Sequence, residues 1–169
     1  NAIQVAEHAA MMILAASRRL IALDARVRAG HWDKEPARGV IQHIHGKTVG
    51  IIGFGAIGRR LARILSGFEV EIIYCDPVPA PAAIEAALNT RRVTFDELIT
   101  GADIITLHLP LTPKSRAMIG ASEISRMKPD VVLVNCARGG IVDEDAVARA
   151  LLDVKLLGAA MDVFKSEPP

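Results

Sequence analysis

Thr48-Val49-Gly50-Ile51-Ile52-Gly53-Phe54-Gly55-Ala56-Ile57-Gly58 decides how the rest of the chain is read. A short apolar run, Thr48–Gly53, ends in the spacing G-x-G-x-x-G at Gly53, Gly55 and Gly58, and a helical pattern starts directly behind it. Alone that spacing is a weak signal. Between a strand and a helix it is the setting in which a dinucleotide pyrophosphate is bound. Gly53 then permits the tight turn, Gly55 lets the backbone approach the phosphates, and Gly58 lets the helix pack closely on the strand. Ala56, Ile57 and Gly58, the first helical residues, offer N–H groups that no carbonyl inside the helix can use. The plainer alternative is a glycine-rich turn with no ligand, but strand, glycines and helix all agree with binding.

The next apolar run stops at Asp76, eighteen residues past Gly58. A carboxylate at that position accepts hydrogen bonds from the adenosine ribose and repels a 2′-phosphate. The following Pro77-Val78-Pro79 carries no cation, and Arg91 and Arg92 cannot be placed from the sequence. NAD is therefore expected in preference to NADP.

Working outward, short apolar runs alternate with helical stretches. Thr48–Gly53, Val70–Cys75, Ile104–Leu109, Val131–Asn135 and Leu156–Met161 are expected strands, with a short one around Val93. Their near-continuous hydrophobicity suits strands covered on both faces, as in a parallel sheet. Helices are expected near 56–67, 80–88, 95–101, 122–128 and 143–152, with Ser122 and Asp143 as N-caps. Alternating βα units of this size specify an α/β, Rossmann-type doubly wound parallel sheet in a single domain.

Ligands of such sheets bind at the carboxyl ends of the strands. Three further groups fall there: His108-Leu109-Pro110, Asn135-Cys136-Ala137-Arg138-Gly139-Gly140, and Asp162-Val163-Phe164 followed by Glu167. Singly, His108 reads as well as a satisfied strand-end histidine, Arg138 as a surface cation and Asp162 as a helix cap. Together, at the ends of successive strands, they read as one pocket.

Before the nucleotide fold, residues 3 to about 29 carry one helical pattern, with Ile3, Ala6, Ala10, Ile13, Leu14, Leu20 and Ile21 at three- and four-residue steps. Gly30 is a natural stop. Gly30–Gly46 has no clean period and is expected to be an irregular arm carrying Trp32. The helix is apolar on more than one side, and tryptophan is enriched at interface anchors. Helix and arm are thus expected to form a homodimer, with an arm folded back on its own subunit as the alternative.

Composition narrows the function classes. The chain has 169 residues, 51% of them hydrophobic, and 20 Lys+Arg against 19 Asp+Glu give a net charge of +1. That leaves no field for nucleic acid or an anionic membrane. The apolar run Ala9–Ala16 is far short of the ~20 residues a bilayer span needs, and no leader peptide is visible. Cys75 and Cys136, far apart in the chain, make neither a disulfide framework nor a metal cluster, so a reducing, cytoplasmic setting is expected.

These motifs together resemble the nucleotide-binding domain of the D-isomer-specific 2-hydroxyacid dehydrogenases, nearest in texture to the phosphoglycerate dehydrogenase branch. The resemblance rests on Val5-Ala6-Glu7-His8, Gly30-His31-Trp32, the run Gly46–Gly58, His108-x-Pro110, Asn135–Asp143 and Asp162-Val163-Phe164. It implies an interdomain helix and dimerisation arm over residues 1–46, an NAD-binding Rossmann domain over 47–169, and a substrate-binding domain absent from these residues. It also implies hydride exchange between NAD(H) and a small D-2-hydroxy or 2-oxo acid. By the resemblance, Arg138 holds the substrate's carboxylate and carbonyl oxygens, and Asp162 the nicotinamide carboxamide. Leu109, Pro110, Cys136 and Ala137 line the cofactor, and Glu167 charges a catalytic histidine. That histidine belongs beyond Glu167, whereas the last histidine here is His108, so these residues alone are expected to show no turnover. Two alternatives stand beside this reading: an NAD(H)-sensing corepressor-like interaction protein of the same fold, and an S-adenosylmethionine-dependent methyltransferase with a similar glycine-rich loop.

Overall fold

Six parallel strands, in the order β3-β2-β1-β4-β5-β6, form the sheet of the described residues. The structure, a computed structural model, describes residues 1–32 and 41–169. The strands are β1 Thr48–Ile52, β2 Glu71–Cys75, β3 Thr90–Arg92, β4 Ile104–Leu107, β5 Val131–Asn135 and β6 Leu156–Met161. Helices α1 Ala2–Ser17 and α2 Leu20–Arg28 precede the sheet. Between and after its strands run α3 Ala56–Leu65, α4 Ala82–Leu88, α5 Phe95–Gly101, α6 Ala121–Arg126 and α7 Glu144–Leu152. The order reverses between β1 and β4, which opens a crevice at their carboxyl ends.

Alternation along each strand fills two cores. Val49 and Ile51 of β1, with Ile104, Val132 and Val134, face α1 and α3, meeting Ala9, Ile13, Leu61 and Leu65. Ile52, Ile105, Val131 and Leu133 face the other way, onto Leu98 and Ile99 of α5, Ile124 of α6 and Val147 of α7. Both faces are buried, which accounts for the continuous apolar runs.

Four expectations are corrected. The single leading helix is two: the carbonyl of Ser17, which would continue the helix, accepts from Gln42 N instead, at 3.0 Å, and Arg19 turns left-handed (φ 49°). Ser122 lies inside α6, whose N-cap is Gly120, with Glu123 accepting from Gly120 N at 3.1 Å. Asp143 does cap α7, accepting from Ala146 N. The short strand ends at Arg92, one residue before Val93, and β4 stops at Leu107, leaving His108 and Leu109 beyond the strand. Of the expected arm, residues 33–40 lie outside the described residues. Its second part folds on its own chain, with Ile44 buried and Gly46 N donating to Glu69 O, while Trp32 is 79% exposed.

Candidate dinucleotide and substrate site

The glycine loop is held from both sides. Gly53 sits at φ +93°, and a Cβ there would collide with the carbonyl of His108 on the neighbouring strand end. A Cβ on Gly58 would collide with the carbonyl of Gly53. These two glycines bring β1, β4 and α3 together. Around Gly55, by contrast, a Cβ would meet nothing within 4 Å, and Gly55 lines the cleft. The helix behind it has no side-chain cap, so the N–H groups of Ala56, Ile57 and Gly58 stand free at its positive end. That cradle of open space and unpaired donors fits the pyrophosphate of NAD.

The loop's other residue is braced as well. Phe54 stacks on Tyr74 of β2, ring centroids 3.9 Å apart at 16°. Tyr74 donates to Glu85 Oε1 at 2.6 Å and accepts from Ala80 N, and its pKa is raised by burial and by Glu85. Arg59 Nε donates to Phe54 O at 3.0 Å.

Asp76 follows directly on β2, one residue past the strand's end at Cys75, with more work to do than a ribose contact. Its Oδ2 accepts from Phe54 N at 2.7 Å and its Oδ1 from Val78 N at 2.8 Å. The carboxylate therefore fixes the glycine loop and the β2 turn before any ligand arrives. A cation that the sequence left unplaced lies beside it. Arg92, on adjacent β3, donates through Nε and Nη2 to Asp76 O and through Nη2 to Pro77 O. Parallel pairing sets Arg92 of β3 beside Tyr74 of β2, within side-chain reach of the Asp76 carbonyl, which the sequence spacing hides.

A cleft of about 930 Å³ opens over these residues, lined by Gly53, Gly55, Asp76, Arg92 and, from the far wall, His108, Leu109 and Pro110. That volume suits a drug-sized or cofactor ligand. His108 Nε2 lies 2.8 Å from Thr106 Oγ1, while its Nδ1 is buried without a partner. Burial holds its pKa down at about 4, so the ring is neutral near pH 7. Ser115 buttresses this wall, accepting from Thr112 N and donating to Pro110 O, both at 2.8 Å.

The ends of β5 and β6 form a second group. Asn135, fully buried, accepts from Ala137 N at 3.0 Å and donates from Nδ2 to Arg138 O at 3.1 Å. Its backbone carbonyl accepts from Asp162 N. Arg138 is exposed and donates from Nη1 to Ala137 O. The segment after β6 returns over this turn so closely that a Cβ on Gly139 would collide with the carbonyl of Phe164. Glu167 Oε1 accepts from Phe164 N at 3.0 Å, and Glu144 Oε1 from Lys165 N. The fold thus assembles Arg138, Asp162 and Glu167 at neighbouring strand ends. They are not among the residues that line the cleft over β1, β2 and β4 and stand at the ends of the next two strands of the sheet.

Cys136 is buried, its Sγ 3.5 Å from Met12 Sδ of α1, and burial with the nearby Asp162 charge pushes its pKa up to about 12. It is a packed thiol, not a nucleophile. Among the described residues no histidine contacts Glu167: His8 pairs with Asp162, His45 with Glu69, and His108 with Thr106.

Sequence reasoning missed the roles of Asn135, Arg92 and His8. Asn135 was findable, because asparagine bonding the N–H two residues on is a recognised turn device. Arg92 and His8 depend on pairing and helix docking that no local pattern reports.

The sequence profile of the family described as "D-isomer specific 2-hydroxyacid dehydrogenase, NAD binding domain" matches residues 10–169. D-3-phosphoglycerate dehydrogenase of Methanocaldococcus jannaschii is 41% identical over 170 residues, covering 100% of this chain and 32% of that protein. Among solved structures, a formate dehydrogenase from Granulicella superposes with a TM-score of 0.95 at 34% identity, covering 99% of this chain and 45% of its own. D-lactate dehydrogenase of Aquifex aeolicus, complexed with NAD and lactic acid, superposes at 0.90 and 34% identity, over 99% of this chain and 49% of its own. The chain spans about a third of the length of the phosphoglycerate dehydrogenases it matches. Fold, cradle and match agree: the chain belongs to the D-isomer-specific 2-hydroxyacid dehydrogenase family and is an NAD-binding domain of it. These relatives give no support to the corepressor or methyltransferase readings.

Proposed function

We propose that this domain serves an NAD-dependent D-2-hydroxyacid dehydrogenase acting on a small 2-hydroxy or 2-oxo acid, with Arg138 and Glu167 in the reaction. The observation that carries the reading is the joining of the β5 turn to the β6 return at Gly139 and Phe164, on the same sheet as the dinucleotide cradle. NAD, when bound, supplies the two-electron carrier, exchanging hydride with the C2 carbon. The chain's own residues bind and orient. The free N–H groups of α3 take the pyrophosphate, and Asp76 takes the ribose. Asn135 shapes the turn from which the Arg138 guanidinium, a bidentate donor, grips carboxylate and carbonyl oxygens. Asp162 accepts from the carboxamide. Glu167 would raise the pKa of an imidazole beside it and fix its tautomer, and that histidine comes from outside these 169 residues.

NAD is preferred to NADP on this reading, because the Arg92 fork is turned onto the carbonyls of Asp76 and Pro77 while the Asp76 carboxylate remains. Homodimer formation through α1, α2 and the arm is supported by the apolar side chains left outside either core, Ile21 at 78% and Trp32 at 79% exposure. No described helix is long and apolar enough to cross a membrane, and a reducing, cytoplasmic setting suits the two free thiols.

The test follows NADH absorbance in the full-length protein with a panel of 2-oxo acids. Turnover with at least one is expected, and Arg138→Gln should reduce kcat/KM by at least ~100-fold, as loss of a charge-assisted bidentate contact does. Full activity of that variant would refute the assignment of Arg138.

A further inference from the structure

Helix α1 precedes the first strand of the sheet by about thirty residues, yet it packs on β5 and β6. It packs on α3, β5 and β6 through Ala6, Ala9, Ala10 and Ile13. One helical turn beside that buried face, His8 and Met12 stand four apart and touch the site. Met12 meets Cys136, and His8 Nε2 lies 3.2 Å from Asp162 Oδ1. Asp162 is fixed at its backbone by the bond from its N to Asn135 O. Its other carboxylate oxygen, Oδ2, carries no hydrogen bond among the described residues.

The pair is half exposed, at 41% for His8 and 45% for Asp162. An ion pair so placed adds little to stability, but it removes rotamer freedom from the carboxylate. An acceptor that must meet a planar amide gains from such fixing, since the ordering cost is met before the ligand binds. Either imidazole form with a proton on Nε2 can do this.

We propose that His8 is a positioning residue of the nicotinamide half of the site: it holds Oδ1 of Asp162 and so presents Oδ2 to the carboxamide of the cofactor. The inference rests on the reading of Asp162 given under Proposed function. It makes α1 part of cofactor recognition, although no residue of α1 lines the adenosine cleft.

ADP-ribose, which shares every part of NADH except the nicotinamide, separates the two halves. Both ligands are titrated into the full chain by calorimetry. His8→Ala should weaken NADH binding by about 3–10-fold, the range of one hydrogen bond, and leave ADP-ribose binding unchanged. His8→Gln, which keeps an N–H donor, should recover most of that loss. Asp162→Ala serves as the reference and should also lose NADH selectively. If Asp162→Ala is selective and His8→Ala is not, the inference fails while the Asp162 reading stands. If Asp162→Ala is not selective either, that reading fails and the inference with it. Equal loss of both ligands in His8→Ala would mark a structural role and overturn the proposal.

Discussion

The two halves of the ligand region are built differently. At the ends of β1 and β2 the seat is backbone, locked in place by other backbone: Gly53 against His108, Gly58 against Gly53, and Phe54 N on the Asp76 carboxylate. At the ends of β5 and β6 the functional groups are exposed side chains, with Arg138 folded onto its own Ala137 carbonyl and Glu167 onto Phe164 N. The first half is complete and rigid before a ligand arrives. The second presents charge on short tethers, supported by Asn135 at the end of β5 itself and by His8 from α1. Seating of the pyrophosphate should therefore depend on backbone geometry, and recognition of the nicotinamide and the substrate on side-chain placement.

The widest separation should come from the glycines. Gly53→Ala places a side chain against a backbone carbonyl at a positive φ, so a loss of about 2–5 kcal/mol in stability is expected by chemical denaturation. Gly55→Ala should leave the unfolding midpoint nearly unchanged, since its Cβ meets nothing within 4 Å, and should cut NAD affinity by about tenfold or more. A folded Gly55→Ala with full affinity would mean that the phosphates sit elsewhere.

Next in size is a pH effect on the far wall of the cleft. His108 has a pKa of about 4 in the folded chain against 6.5 for an unperturbed histidine. Between those values the unfolded chain binds more protons. Stability is therefore complete above about pH 6.5 and falls by about 2–3 kcal/mol as pH drops toward 4. Urea midpoints at pH 7 and 4.5 should differ less in His108→Leu than in the natural chain. An unchanged difference would assign the acid sensitivity to other groups.

A smaller effect lies far from both halves. Val154, 75% exposed, occupies the left-handed region at φ +55° in the turn between α7 and β6. A β-branched residue is strained there, so Val154→Gly should raise stability by about 1 kcal/mol, read as a higher Tm with unchanged NAD binding.

Legibility in the sequence follows the same division. The strands were readable because both sheet faces are buried, giving runs such as Val131–Asn135 that little else explains. The glycine loop and Asp76 were readable because their chemistry is local: a turn, a helix start and a strand end. The break in the leading helix was hidden because Gln42, distant in sequence, takes the Ser17 carbonyl. Arg92 escaped notice because its neighbour is set by β2–β3 register, and His8 because its partner lies at the opposite end of the chain. These three depend on long-range contacts of a side chain or carbonyl with a remote element, whereas the Asn135 turn and the Gly120 cap are local.

The central claim is that the Asp76 end of the cradle selects NAD. Calorimetric titration of the full chain with NAD and with NADP tests it most directly, repeated with Asp76→Ala. NAD should bind more tightly than NADP, and Asp76→Ala should weaken NAD by about 10–100-fold, losing a charged acceptor for loop and ribose together, while narrowing the preference. Equal or tighter binding of NADP by the natural chain would contradict the account, and would assign Arg92 the task of receiving a 2′-phosphate.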